Sequence, residues 1–157
     1  MRKFLLTLLV LIAAVGVHAE EPLATKIRNA IRSAEPRWRC VNGILNAPLS
    51  VPSEKRLVVT SCDYTSETGT RQDVGLHVFE VDSLADAKMS LSPLREGKVA
   101  KGWKIRKFEL GDEGYSATYT NGRRFEIHFR KGTIVVNVSS NSLQRAERFA
   151  HLILVQL

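Results

Sequence analysis

The chain has 157 residues, and its 23 lysines and arginines against 16 aspartates and glutamates give a formal charge of +7. Hydrophobic residues make up 44% of the sequence and charged residues 25%, with two cysteines. This composition argues against a disordered chain, a collagen-like chain and a dense disulfide scaffold, and the length indicates one domain.

The N-terminal end has the pattern of a secretory signal. Arg2 and Lys3 give it a positive start, residues 4–17 are apolar apart from a threonine and a glycine, and residues 17–19 place small side chains at the −3 and −1 positions of a cleavage site. The run is too short for a lasting membrane anchor, which needs about 20 apolar residues. A buried N-terminal helix is the alternative, but the polar residues that follow the run favour a signal.

We therefore predict a secretory signal peptide over 1–19 and a single domain over 20–157, located in the periplasm or outside the cell. Without the two basic residues of the signal, 21 basic and 16 acidic residues leave a charge of +5. Cys40 and Cys62 are the only cysteines, and in an oxidising compartment we expect them to form a disulfide. Their spacing is not that of a reactive C-x-x-C pair, and two cysteines alone do not make a zinc site.

Three helices are predicted from apolar residues at helical spacing. The first spans Leu23–Ala34. The second begins at a Ser83 cap and runs to about Leu91, because Pro93 is expected to limit it. The third spans Leu143–Val155.

Alternation of apolar and polar residues indicates about six strands, of which the last three form an antiparallel meander, and one further segment is strand-like. The segments are a short strand around Trp38 and Cys40, then Arg56–Tyr64, Asp73–Val81, the strand-like Trp103–Leu110, and the meander through Tyr115–Thr120, Arg123–Arg130 and Thr133–Ser139. The order of elements predicts an α+β fold, in which N-terminal, middle and C-terminal helices cover an antiparallel sheet.

Four charged side chains share the polar face of the second meander strand, because residues two apart in a strand point the same way. They are Arg124, Glu126, His128 and Arg130. We predict a ligand-binding face that is open to solvent. Its two arginines would donate to a carboxylate, phosphate or sulfate beside the hydroxyls of Ser116 and Thr118, and its histidine would add pH sensitivity. The carboxylate in the row can instead neutralise an arginine, and the alternative is a solvated outer face of a half-covered sheet.

A basic stretch precedes the meander and surrounds Trp103. It contains Arg95, Lys98, Lys101, Lys104, Arg106 and Lys107. Its first part, Arg95–Gly102, is expected to be a loop. Basic and aromatic residues together suit nucleic acid, but export argues against that partner. An envelope protein, an anionic polymer or anionic lipid headgroups fit better, so peripheral membrane contact stays open. The alternative is an ordinary soluble basic protein.

The second half of the chain also resembles a known group of proteins. The segments that carry the resemblance are Leu110–Tyr115 (LGDEGY), Phe129–Gly132 (FRKG), the β run Thr133–Ser139 and Ala146–Ala150 (AERFA). Over residues 103–155 they are similar to small exported bacterial proteins of uncharacterised function, among them actinobacterial lipoproteins in which a turn of the form lGdeAy precedes a hairpin and a C-terminal helix. Those proteins resemble the photosystem PsbP type of α/β/α sandwich. The resemblance implies that fold and an exported binding or accessory role. The chain departs from it by lacking a lipid-attachment cysteine and by having Gly114 where alanine is usual.

No motif for catalysis or for a cofactor is recognised. The sequence has no P-loop, no dinucleotide-binding glycine pattern, no HExxH and no G-x-S-x-G, so no catalytic residue, metal ligand or cofactor is predicted. We expect an exported, non-catalytic accessory or binding module that recognises an anionic ligand or partner. Two alternatives stay open. One is a small secreted hydrolase, which needs His77 or His128 beside a serine or an acid in a cleft. The other is an inhibitor of a secreted enzyme that uses the loop Asn42–Glu54.

Overall fold

The computed structural model describes residues 21–42, 51–65 and 69–157. The predicted signal peptide and most of the loop considered for an inhibitor lie outside these residues. The helices are α1 (Leu23–Ala34), α2 (Leu84–Ala100) and α3 (Leu143–Leu154). The strands are β1 (Arg39–Asn42), β2 (Lys55–Thr65), β3 (Arg71–Glu80), β4 (Lys104–Lys107), β5 (Glu113–Thr118), β6 (Phe125–Lys131) and β7 (Ile134–Ser140).

The described strands form one antiparallel sheet in the order β1-β2-β3-β7-β6-β5-β4. The β3–β7 pair joins the two halves of the chain, with Leu76 opposite Val138 and Val78 opposite Val136. The predicted α+β class is confirmed, and the sheet has seven strands because Lys104–Lys107 pairs with β5 as an edge strand. None of the described helices combines the length and the apolar character needed to cross a membrane.

Helices α1 and α3 pack on one face of the sheet, which we call the first face. The side chains of Val74, Leu76 and Val78 point to it from β3 and are at most 3% exposed. Phe149 and Ile153 of α3 meet them and are fully buried. Burying an apolar side chain of this size contributes about 1.5–3 kcal/mol. This layer is therefore the main hydrophobic core, and the predicted bounds of α1 are confirmed.

Helix α2 packs on the opposite face, the second face, and is longer than predicted. Ser83 caps it as expected, since its hydroxyl accepts from the Asp86 N–H at 3.1 Å. The predicted end near Leu91 is wrong, because the helix continues through Pro93 to Ala100. A proline inside a helix removes one backbone hydrogen bond. Apolar packing of Leu91 on the second face and of Leu94 beside it offsets that loss, so the predicted basic loop Arg95–Gly102 is mostly helix.

The predicted disulfide is confirmed. Cys40 on β1 lies directly opposite Cys62 on β2, and the two are bonded across the strand pair. Cys62 is fully buried in the main core, whereas Cys40 is exposed. The bond therefore attaches the short edge strand β1 to the core.

Replacing both cysteines with alanine should lower the free energy of unfolding by about 3 kcal/mol, because the bond restricts the unfolded chain between positions 22 residues apart. Urea denaturation of the wild type and of Cys40→Ala/Cys62→Ala measures the difference. A reductant should shift the wild type toward the variant. An unchanged unfolding midpoint in the variant would contradict a stabilising role.

Candidate functional site

The predicted charged row lies on the second face, beneath α2. His128 is 0% exposed, Glu126 and Arg130 are each 9% exposed, and Arg124 remains exposed. The expectation that the row is open to solvent is therefore wrong for three of its four members, because the long helix α2 packs over this part of the sheet.

The hydroxyls expected beside the row lie on the other face. Ser116 pairs with Ile127, whereas His128 pairs with Tyr115. Since paired residues share a face of the sheet, the row has Tyr115 rather than Ser116 as its neighbour on β5. Two donor types that the sequence analysis combined in one site are thus separated by the thickness of the sheet.

A buried carboxylate organises the residues beneath α2. Glu126 Oε2 lies 2.6 Å from Lys98 Nζ, which α2 supplies, and 2.8 Å from His128 Nε2 on its own strand. The Tyr115 ring stacks on the His128 ring with centroids 4.7 Å apart. Lys98 Nζ also lies 4.1 Å from the centroid of the Trp103 ring. Glu126 therefore joins the helix to the sheet.

Electrostatics keeps Glu126 charged and His128 neutral. Burial raises the pKa of Glu126, but hydrogen bonds from His128 and Lys98 and the charge of Lys98 outweigh burial and lower this pKa. Burial lowers the pKa of His128 more than its bond to Glu126 raises it. The neutral ring donates its Nε2 proton to the carboxylate. Its Nδ1 has no hydrogen-bond partner among the described residues.

Both arginines of the row are neutralised by carboxylates from other elements. Arg124 lies 3.3 Å from Asp73 Oδ2 and donates to Ser139 Oγ at 2.8 Å. Arg130 lies 3.2 Å from Glu113 Oε2 and 3.4 Å from Asp112 Oδ2. The row is therefore a set of internal ion pairs. Anion binding by it stays a prediction that this pairing disfavours, since a ligand would have to displace carboxylates.

Each of the two histidines considered for a hydrolase lies beside an acid, Glu126 for His128 and Glu54 for His77. His128 is closed off from solvent, and His77 Nε2 lies 3.5 Å from Glu54 Oε1. In the described part of the chain, no serine or threonine hydroxyl hydrogen-bonds to either ring. His77 Nε2 makes no hydrogen bond to any described residue.

Arginines converge instead around Trp38, which precedes β1 and lies half-buried between two clefts. One cleft of about 340 Å³ is lined by Arg28 and Arg32 of α1, together with Trp38, Asn42 and Thr60. These two arginines are four residues apart and share one side of the helix. No acidic residue of the described chain lines this cleft, so its described lining presents a net positive charge.

The second cleft, of about 600 Å³, lies on the other side of Trp38 and adds three arginines. Arg37 lies 5.2 Å from the Tyr64 ring, and Arg145 lies 5.6 Å from the Trp38 ring. We call the whole region the Trp38 corner. It consists of Trp38 with Arg28, Arg32, Arg37, Arg145 and Arg148.

Glu35 is the one acidic residue among the described residues that line the two clefts of the Trp38 corner. Arg148 is paired with Glu35, and Arg145 donates to the Asn141 side chain at 2.6 Å. No carboxylate of the described residues lies within ion-pair distance of Arg28, Arg32 or Arg37. This surface thus carries positive charge that the described protein does not itself neutralise.

The floor of the smaller cleft holds an unsatisfied hydroxyl. Thr60 is 6% exposed, and its Oγ1 has no hydrogen-bond partner among the described residues.

Sequence analysis did not identify this region. Its signals were the arginines at positions i and i+4 of the first predicted helix and the arginines on both sides of Trp38 in the sequence, but nothing in the sequence brought helix and strand together.

The basic stretch around Trp103 is divided by the structure. Lys98 is held by Glu126, and Lys107 Nζ lies 3.3 Å from Glu109 Oε1. Lys104 and Arg106 remain exposed on β4, an edge strand. Charged residues on an edge strand prevent it from pairing with other chains, so these two cations have a structural explanation that the Trp38 corner lacks.

Stability should fall as the pH drops from 7 to 5, because burial holds the pKa of His128 below 6.5 in the folded state. The unfolded chain binds a proton at this residue near pH 6.5 and the folded chain does not, so protonation favours unfolding. His77 acts in the same direction because burial also lowers its pKa. Below pH 4.5 the lowered pKa of Glu126 causes a further loss of stability, because the unfolded chain binds a proton at this carboxylate before the folded chain does.

Urea denaturation between pH 7 and pH 5 tests this dependence. His128→Gln should flatten the slope by up to about 1.4 kcal/mol per pH unit, the contribution of one proton. His151→Gln, at an exposed position on α3, is the control and should keep the wild-type slope. An unchanged slope in His128→Gln would show that this histidine is not held neutral by burial.

Comparisons with known proteins leave function to be argued from these residues. No protein-family model matches the chain, and no curated protein matches it. Among solved structures, the chain is similar to a GTP binding regulator from Thermotoga maritima. The identity is 14% and the TM-score 0.46, over 86% of this chain and 89% of the other. We draw no argument about fold or function from a similarity at that level.

Proposed function

We propose that the protein is an exported, non-catalytic binding module that recognises anionic groups at the Trp38 corner. One observation carries the proposal: five arginines surround Trp38, and one carboxylate accompanies them. A guanidinium donates two parallel hydrogen bonds to a carboxylate, phosphate or sulfate, and it stacks on aromatic rings. The corner therefore offers both the charge and the geometry for ligands with several anionic groups.

The shape of the Trp38 corner favours a specific binding site over the alternative that its arginines only keep the protein soluble. Trp38 separates two concave regions, and the smaller one has an unsatisfied Thr60 hydroxyl at its floor. A buried hydroxyl without a partner costs about 1–3 kcal/mol. An oxyanion bound by Arg28 and Arg32 would bring an acceptor toward that hydroxyl.

The proposed location follows from the disulfide and the N-terminal sequence. Disulfides persist in the periplasm and outside the cell, and the Cys40–Cys62 bond supports such a compartment. Nucleic acid is not the partner that export favours. Anionic polymers or anionic proteins of the envelope carry the chemistry that the arginines recognise.

Binding to dextran sulfate and to polyglutamate, measured by calorimetry over a range of salt concentrations, tests the proposal. Arg28→Ala/Arg32→Ala should weaken binding about tenfold or more, since each charge-assisted hydrogen bond contributes about 1.5–3 kcal/mol before desolvation. The slope of affinity against salt should also decrease.

Lys104→Ala/Arg106→Ala is the matched control, because it also removes two exposed cations, from the opposite edge of the sheet. It should change binding less than about twofold if contact is local, whereas a response to total charge would affect both variants alike. Equal weakening in the two double variants would contradict a site at the Trp38 corner. So would the absence of binding to either polyanion by the wild type.

A further inference from the structure

A third cleft, separate from the two beside Trp38, lies on the second face of the sheet, between α2 and the strands β4 and β5. Its volume is about 570 Å³, a size that suits a small organic molecule. Leu91 of α2 and Ile105 of β4 give its wall an apolar part, and Phe108 and Leu110, which pack in or against the main core, also line it. It is separated from the Trp38 corner by the sheet, because Tyr115 and Trp38 pack in opposite layers.

The acidic residues at the rim of this cleft are already paired. Asp112 accepts the Gly132 N–H at 2.8 Å and pairs with Lys131 at 3.2 Å. Glu113 pairs with Arg130, and Glu109 pairs with Lys107. The carboxylates of the rim therefore belong to the protein's own ion pairs.

Arg95 is the exception among the charged residues of this cleft. It is an exposed residue of α2 and lines the cleft. No carboxylate of the described residues lies within ion-pair distance of it. The cleft thus combines apolar walls with one guanidinium that lacks a counter-ion in the described chain.

The Tyr115 hydroxyl is the second unsatisfied group. Tyr115 is 5% exposed, lines the cleft, and is held in place by stacking on His128. Its hydroxyl has no hydrogen-bond partner among the described residues. Burial and the charge of Glu126 raise the pKa of this phenol, and Arg95 is close enough to lower it. The group therefore stays protonated, with an O–H to donate in the neighbourhood of Arg95.

We propose that this cleft binds a small amphipathic anion, whose oxyanion head accepts hydrogen bonds from Arg95 and Tyr115 and whose hydrocarbon chain packs on Leu91 and Ile105. An anionic oxygen placed between the two groups would accept a hydrogen bond from the buried donor and would neutralise the cation. The apolar wall beside them gives a hydrocarbon chain a surface that excludes water.

Titration calorimetry with decanoate, decyl phosphate and decanol, each below its micelle concentration, tests the cleft. The wild type should bind one equivalent of an anion saturably and bind decanol at least tenfold more weakly. Whether the carboxylate or the phosphate binds more tightly distinguishes a fatty-acid source from a phospholipid-like source.

Three variants test the proposed contacts. Arg95→Ala should weaken anion binding at least tenfold, since it removes the charge-assisted donor. Tyr115→Phe should weaken it about threefold to tenfold without lowering the melting temperature, because it keeps the ring and removes an unsatisfied hydroxyl. Arg106→Ala, which removes an exposed arginine from β4, should stay within twofold of the wild type.

Each of three results would overturn the proposal: no saturable binding by the wild type, equal affinity for decanol and decanoate, or equal effects of Arg95→Ala and Arg106→Ala. The Arg28→Ala/Arg32→Ala variant should bind decanoate as the wild type does. The experiments therefore distinguish a failure of the proposed site at the Trp38 corner from a failure of the proposed site in this cleft.

Discussion

The need to compensate a buried carboxylate governs the second face of the sheet. Glu126 is 9% exposed beneath α2, where an unpaired charge would be strongly unfavourable. Lys98 and His128 both reach its Oε2, so the ion pair fixes the C-terminal half of the helix against the strands. With α2 in this position, three members of the charged row are buried, and the cleft lined by Leu91, Ile105 and Tyr115 lies beside the helix.

The presence or absence of a partner carboxylate also distinguishes arginines that stabilise the fold from arginines that are available to a ligand. Arg124 and Arg130 have carboxylate partners within 3.4 Å, and their charge is used within the fold. Arg28, Arg32 and Arg37 have none in the described chain. A ligand gains most where it meets charge that the protein has not neutralised, because no existing ion pair has to be broken. The same criterion identifies Arg95 on α2.

Local patterns predict much of the fold and little of the candidate sites. Helical spacing places α1 at its observed bounds, and strand alternation identifies β3, β6 and β7. The cysteine count predicts the Cys40–Cys62 bond. The length of α2 is mispredicted because packing overrides the local effect of Pro93. The convergence of Arg28 and Arg32 with Trp38, and of Lys98 with Glu126, depends on contacts between elements distant in sequence, which periodicity does not reveal.

A double-mutant cycle on Lys98 and Glu126 tests most directly whether this ion pair holds α2 to the sheet. The free energy of unfolding would be measured in urea at pH 7 for the wild type, Lys98→Met, Glu126→Gln and the double variant. Each single variant leaves a buried charge without its partner. We expect a coupling free energy of about 1.5–3 kcal/mol, so the double variant should be more stable than the sum of the single effects predicts. Effects that add to within about 0.5 kcal/mol would contradict the account, because the two residues would then stabilise the fold independently.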